Sequence, residues 1–131
     1  MPIIEGTQAH KIWRGSYSFA VDTGATGTYV LRSNDGMIPN GAVITGGYVD
    51  VTAGFTTSAG ATGALQVNAA NDLVSATIVS GAPWSTTGIK DVLPDSTGST
   101  AIKTTAARAP SFLIGTGAAT AGAFTLTLEY I

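Results

Sequence analysis

The chain has 131 residues with small, weakly charged side chains: 67 are Ala, Thr, Gly or Ser, and only 11% are charged. This length predicts one domain with a modest core, and the shortage of charge predicts surfaces that associate with partners. The net charge of −2, without a Lys- or Arg-rich run, excludes nucleic acid as a partner, and the lack of an 18-residue apolar run excludes a membrane span.

The N-terminal segment MPIIEGTQAHKIWRGS shows neither apolar alternation nor the features of a signal peptide or lipid anchor. Residues 1–15 also contain Pro2, Gly6 and Gly15, which do not favour regular structure. We therefore expect an extended N-terminal arm over residues 1–15 and a folded domain over residues 16–131.

The rest of the chain shows the period-2 alternation of half-buried strands, interrupted by turn clusters such as SNDG and SGAPWSTTG. The clearest case is the last, where Phe124, Leu126, Leu128 and Tyr130 share one face. The other predicted strands lie at 17–21, 28–32, 43–51, 62–68, 74–80, 100–105 and 111–115. About eight short strands predict an all-β fold, a sandwich or jelly roll.

Helix is nearly absent from the prediction. The one candidate is 71–76, where Asn71 or Asp72 could cap a turn. The β-branched residues that follow favour a strand, so we expect a turn that leads into a strand.

The stretch GAVITGGYVDVTAGFTTSAGATGALQV at 41–67 has strand character at both ends. Only Phe, Thr, Ser, Ala and Gly lie between the two apolar runs. This pattern predicts a hairpin with a chemically inert tip.

Catalytic and metal-binding motifs are hard to find. The single histidine, His10, lies in the expected arm, where nothing would hold it beside a nucleophile. Four carboxylates lie in turn-rich segments, where turn formation accounts for them: Asp22, Asp35, Asp91 and Asp95. No calcium loop, phosphate-binding loop or cysteine occurs, so we predict neither catalysis nor a cofactor.

Tryptophan and arginine offer the best candidates for a binding surface, since both are enriched at interface hot spots. Trp13 and Trp84 lie outside clean strand patterns, which leaves a core role and an interface role open. Trp13 is placed as an anchor, exposed until a partner covers it. The candidate interface residues are Ile12, Trp13, Arg14, Trp84 and Arg108, although for Arg108 a solvated charge is favoured.

The order of segments resembles that of the capsid decoration, or cement, proteins of tailed bacteriophages. The resemblance covers roughly residues 35–90. Its elements are an entry segment (39–45), an apolar strand (47–52), a Thr/Ser/Gly tip (55–63), a second strand (64–68) and an A-N-D-L element (70–73).

This resemblance implies a β-sandwich of jelly-roll type that adds to the outside of an assembled head and ties capsid subunits together. The implied partners are the major capsid protein and the protein itself, as a trimer or a dimer. The implied location is the outer surface of the virion, after synthesis in the host cytoplasm.

A binding module is the alternative: a head-fibre base, a tail-associated adhesin or a carbohydrate-binding sandwich. In that case Trp84, Tyr48 or Tyr29 would stack on sugars. An enzyme is disfavoured, because no group of side chains suggests an active site.

Overall fold

The computed structural model describes residues 11–93 and 101–131. In these ranges the chain forms nine strands and one helical turn. In chain order they are β1 (Lys11–Ser18), α1 (Phe19–Asp22), β2 (Gly27–Val30), β3 (Val43–Thr57), β4 (Thr62–Gln66), β5 (Val74–Ile78), β6 (Gly88–Asp91), β7 (Ile102–Lys103), β8 (Ser111–Gly115) and β9 (Ala119–Tyr130).

The strands form two antiparallel sheets. Sheet I has the order β1-β9-β3-β6, with β7 also paired to β3, and sheet II has the order β2-β8-β4-β5. The predicted alternation in β9 is confirmed, because Phe124, Leu126 and Leu128 are all buried. An all-β chain of two antiparallel sheets agrees with the sequence prediction.

An aromatic cluster packs between the sheets. Phe112 of sheet II contacts Tyr17, Phe55 and Phe124 of sheet I, with ring centroids 4.8, 5.6 and 5.0 Å away. Trp84, from the loop before β6, lies 5.1 Å from the same ring. Aromatic rings bury a large area per residue, so a few of them form a core in a chain of mostly small residues.

Two glycines make room for these rings. A β-carbon at Gly63 would meet the Phe112 ring and Nε1 of Trp84, both about 3.0 Å away. Gly122 lies under the Phe55 ring and has a φ of +135°, which side chains rarely adopt. Part of the glycine content therefore serves close packing.

The predicted arm boundary at residue 15 is wrong. Residues 11–15 belong to β1, which pairs with β9 from Lys11↔Tyr130 to Ser18↔Ala123. The alternation is hidden because an inward position, Gly15, has no side chain and its space is filled by the Trp13 ring. Residues 1–10, including His10, lie outside the described residues.

The hairpin predicted at 41–67 is also wrong, because β3 belongs to sheet I and β4 to sheet II. The intervening tip is a crossing between the sheets. The hydroxyl of Thr57 stabilises the turn there. Its Oγ1 accepts hydrogen bonds from the backbone N–H groups of Ala59 and Ala61 and donates one to the carbonyl of Ala118. The partner of β3 is the distant strand β9.

Local differences are small elsewhere. Residues 19–22 form a helical turn instead of continuing the strand, and Asp22 accepts the backbone N–H of Ser18. The short strand β6 was not predicted, because its sequence GIKD is half charged. The turn leading into a strand after residue 71 is confirmed, with Asn71 at a φ of +58° and β5 starting at Val74.

Candidate interaction surfaces

Both tryptophans belong to the core of the isolated chain. The side chain of Trp13 is 1% exposed and that of Trp84 is 0% exposed. Their indole N–H groups donate to the carbonyls of Gly36, at 2.8 Å, and Gly63, at 3.2 Å. The expectation that Trp13 waits exposed for a partner is therefore wrong, because its strand neighbours already cover it.

Arg108 joins segments of its own chain. Its Nε donates to Oδ1 of Asn68 and its Nη2 donates to Oγ1 of Thr105, both at 2.9 Å. The same Asn68 oxygen accepts the backbone N–H of Thr105. The Arg108 side chain joins two loops of its own chain. It is therefore neither a freely solvated charge nor a cation without a partner.

Ile12 and Arg14 lie on the outer face of sheet I. Ile12 is paired with Glu129, and Arg14 is paired with Thr127, whose other neighbour is Tyr48. Ile12 is 46% exposed and Tyr48 is 36% exposed. Within the described residues the guanidinium of Arg14 makes no hydrogen bond or ion pair, and Ile12 and Arg14 are the two of the five candidates that lie exposed.

Two depressions meet at Arg14. The larger, of about 470 Å³, lies between β1 and the loop at 32–35, with Thr125 on its floor. The smaller, of about 230 Å³, is lined by Ile12, Arg14, Gly47, Tyr48, Thr127 and Glu129. Both are shallow and share Arg14, and we refer to the two depressions together as the trough; Thr125, Thr127 and Glu129 of β9 line it.

The loop beside this trough is held by the backbone of β1. Oδ2 of Asp35 accepts the N–H of Arg14 at 2.8 Å, and the hydroxyl of Ser33 donates to the Arg14 carbonyl. The indole bond from Trp13 to Gly36 fixes the other end of the loop. These three hydrogen bonds hold the loop, which forms one side of the trough, against β1.

Most charge on the outer face of sheet I is negative. Three carboxylates there have no partner among the described residues: Asp50, Asp91 and Glu129. Asp22 accepts the backbone N–H of Ser18 in the turn α1, in keeping with the predicted turn role, and also pairs with Arg32 at 3.2 Å. Asp35 instead accepts the N–H of Arg14 on the distant strand β1. Asp91 was predicted to lie in a turn but belongs to β6. Asp95 lies outside the described residues.

Sheet II presents a different surface. None of its strand residues is charged: the four sequences are GTYV, TGALQ, VSATI and SFLIG. The residues of its outer face, from the pairing register and the lining of its depression, are Thr28, Val30, Thr62, Ala64, Gln66, Ala76, Ile78 and Leu113. Val30 and Ile78 are 62% and 48% exposed.

A depression of about 310 Å³ crosses the centre of this face, and no ionisable side chain lines it. Its walls come from all four strands, including Thr28 of β2, Leu113 of β8, Ala64 of β4 and Ala76 of β5. Small side chains at the centre and larger apolar ones at the margins leave a shallow, uncharged surface. Only part of this signal was present in the sequence: the predicted strands 62–68, 74–80 and 111–115 carry no charge, whereas the predicted strand 28–32 includes Arg32.

No active site stands out in the described ranges. They contain no cluster of three or more His, Cys, Asp or Glu side chains that could hold a metal ion. The pKa of Tyr17 is raised above its ordinary value, chiefly by burial and then by Tyr29 and Asp22. Its hydroxyl donates to the Thr23 carbonyl, and Tyr17 itself is 1% exposed.

The helical content of the described residues is the single turn α1, so no helix there could cross a membrane.

Neither a protein-family model nor a curated protein sequence matches the chain. Its fold is similar to chains in two solved phage structures. One is the cyanophage Pam1 capsid asymmetric unit, with a TM-score of 0.61, 21% identity, and coverage of 99% of this chain and 98% of that chain. The other is the acidic stable capsid structure of Helicobacter pylori bacteriophage KHP30, with a TM-score of 0.57, 12% identity, and coverage of 93% and 86%. The chain therefore shares its fold with chains of two phage capsid structures.

Proposed function

We propose that this protein is a structural component of a phage virion that binds the outside of the head and stabilises contacts between capsid subunits. The observation that carries the proposal is the end-to-end likeness to a chain of the Pam1 capsid asymmetric unit. The likeness extends over nearly the full length of both chains, which supports a structural role in a phage head. The resemblance of residues 35–90 to decoration proteins supports the same role.

The strand order supports a jelly roll. With the two-residue β7 set aside, the sheets have the orders 1-9-3-6 and 2-8-4-5. Each sheet then has four strands, and consecutive strands repeatedly cross from one sheet to the other, as in an eight-stranded, double-sheet jelly roll. The crossing from β3 to β4, at the chemically inert tip, is one such connection.

The role we propose is non-catalytic. Attachment requires shape and surface chemistry but no activated nucleophile or metal, which agrees with the side chains of the described ranges. Support comes from the shallow depressions on the outer faces of both sheets, which suit contact with another protein surface.

The proposed partners are the major capsid protein and further copies of this chain, with a trimer favoured. Arg14 and Glu129 lie close together on the outer face of sheet I, without a partner in the described residues. Opposite charges on one face suit a contact between sister copies, in which Arg14 of one copy meets Glu129 of the next. Ile12, directly beside Glu129, would add apolar contact.

The test is addition of purified protein to preformed heads of the encoding phage that lack it. We expect the protein to sediment with the heads, to saturate at a fixed number of copies per capsid subunit, and to raise the temperature at which the heads open. Heads that remain bare at micromolar protein would contradict the proposal. Light scattering of the free protein measures the oligomer, and a stable 13.1 kDa monomer at high concentration would exclude the trimer.

The adhesin alternative has weaker support. Trp84 is buried, and the Tyr29 hydroxyl donates to the Ala25 carbonyl while its ring packs against Tyr17. Only Tyr48, on the trough wall, remains available to stack on a sugar. Binding to host cells or glycans by a protein that does not add to heads would favour this alternative.

A further inference from the structure

The charged residues of the strands are divided unequally between the two sheets. All of them lie in sheet I: Lys11, Arg14, Asp50, Lys90, Asp91, Lys103 and Glu129. Sheet II has none. A soluble surface is normally interspersed with charges of both signs, whereas the buried centre of a protein interface is depleted of them. The register puts four of them on the outer face of sheet I: Arg14, Asp50, Asp91 and Glu129. The molecule therefore has one outer face suited to water and one suited to burial.

We propose that the outer face of sheet II docks against the capsid shell, on an uncharged protein surface, and that the outer face of sheet I remains in contact with water or with sister copies. The inference rests on the proposed function and adds to it the orientation of the subunit. The chemistry of the partner surface follows from this face: a charged side chain buried against it would find no counter-charge and would lose its hydration.

The size of the face favours the shell over a second copy in solution. Four strands of about five residues, at the usual strand spacing and rise, cover a projected area of roughly 300 Å². Stable dimers bury about 800 Å² per partner, so face-to-face packing of two free copies would be weak. A shell offers many equivalent sites, and an oligomer that engages several of them gains by avidity what each face lacks in area.

The chain has no cysteine, which permits a direct test by thiol labelling. Thr28→Cys places a thiol on the outer face of sheet II, and Thr52→Cys places a matched thiol on an exposed position of sheet I. Each variant is labelled with a maleimide, free in solution and after binding to heads. We expect labelling at Thr28→Cys to slow at least fivefold on heads, and labelling at Thr52→Cys to slow less than twofold.

A second pair of variants introduces charge at the same positions. We expect Thr28→Glu to bind heads at least tenfold more weakly than the wild type, and Thr52→Glu to bind like the wild type, when occupancy is measured at limiting protein. Ala76→Glu, on the opposite margin of the sheet II depression, repeats the test should Thr28→Glu fail to fold. Melting temperatures establish that each variant compared is folded.

The outcomes separate the two proposals. A wild-type protein that does not bind heads overturns the proposed function and this inference with it. A wild-type protein that binds heads while the thiol of Thr28→Cys stays as reactive as in solution overturns the orientation alone. Protection of Thr52→Cys instead of Thr28→Cys would assign docking to sheet I and also overturn it.

Discussion

The indole ring of Trp13 occupies the space over Gly15, two residues further along the same strand. A β-carbon at residue 15 would collide with Cη2 and Cζ3 of that ring and would touch Cβ of Leu31. Trp13, Gly15 and Tyr17 all point towards the core, and the tryptophan fills two of the three positions. This packing attaches β1 to the core.

Gly15→Ala should therefore destabilise the protein by about 1–3 kcal/mol, the usual cost of overpacking a core. The change adds one methyl group and leaves every hydrogen bond in place. Chemical denaturation measures the effect. Gly81→Ala is the matched control, since its β-carbon would meet neighbours only at ordinary contact distance, 3.5 Å and beyond, and should change stability by less than about 0.5 kcal/mol. Equal effects of the two changes would contradict the packing argument.

Truncation of either tryptophan should lower the melting temperature. We expect Trp13→Ala and Trp84→Ala each to cost about 3–5 kcal/mol, because each leaves a large cavity and an unpaired carbonyl, at Gly36 or Gly63. Ile12→Ala removes a half-exposed neighbour of Trp13 and should cost less than about 1 kcal/mol. If the Trp13→Ala protein melted at the same temperature as the wild type, the Trp13 ring would not be part of the stabilising core.

The sequence predicted where strands lie better than it predicted which strands pair with each other. Alternation identified β8 and β9 because their inward residues are large and regular. It failed at β1, where the inward position at Gly15 has no side chain, and it cannot say which strand pairs with which. The interpretation of residues 41–67 as a hairpin failed for that reason: the pairing of β3 with β9 joins residues as distant as Ile44 and Tyr130, a contact that no local pattern encodes.

The interface candidates show the same limit. Trp13, Trp84 and Arg108 were selected by residue type, and residue type does not distinguish an anchor in the core from an anchor at a surface. Ile12 and Arg14 became outward residues because they alternate with Trp13 along β1. The uncharged face of sheet II emerges only when four separated segments are placed side by side.

Substitution of Asp72 should lower the stability of the protein more than substitution of most other residues near its surface. Its carboxylate accepts the backbone N–H groups of Val67, Asn68 and Ala69 at 2.8, 3.0 and 2.8 Å, which closes the loop between β4 and β5. Asp72→Ala leaves these donors without their acceptor and should cost about 2–3 kcal/mol. Asp91→Ala removes an exposed carboxylate that makes no hydrogen bond within the described residues, and should have little effect. Similar denaturation midpoints for the two variants would refute this role for Asp72.

Tyr17 should make the protein sensitive to alkali. Its pKa is raised in the folded protein, by burial first and then by Tyr29 and Asp22, and its hydroxyl donates to the Thr23 carbonyl. Below pH 10, the ordinary pKa of tyrosine, the residue is neutral in both states and its full contribution to stability is present. Above that pH the unfolded chain loses the proton while the folded chain keeps it, so stability falls by up to about 1.4 kcal/mol per pH unit until the folded pKa is reached.

The measurement is the free energy of unfolding between pH 9 and 11 for the wild type and for Tyr17→Phe. The variant loses the hydrogen bond to Thr23, so it starts less stable, but it no longer has this proton to release and its pH dependence should be shallower. Tyr48→Phe is the matched control, because that ring lies on the exposed outer face of sheet I, and its slope should equal that of the wild type. The difference in slope separates titration of Tyr17 from a general effect of alkali, since a general effect would act on all three proteins alike. Parallel curves for the wild type and Tyr17→Phe would mean that the buried hydroxyl does not control the alkaline limit of the fold.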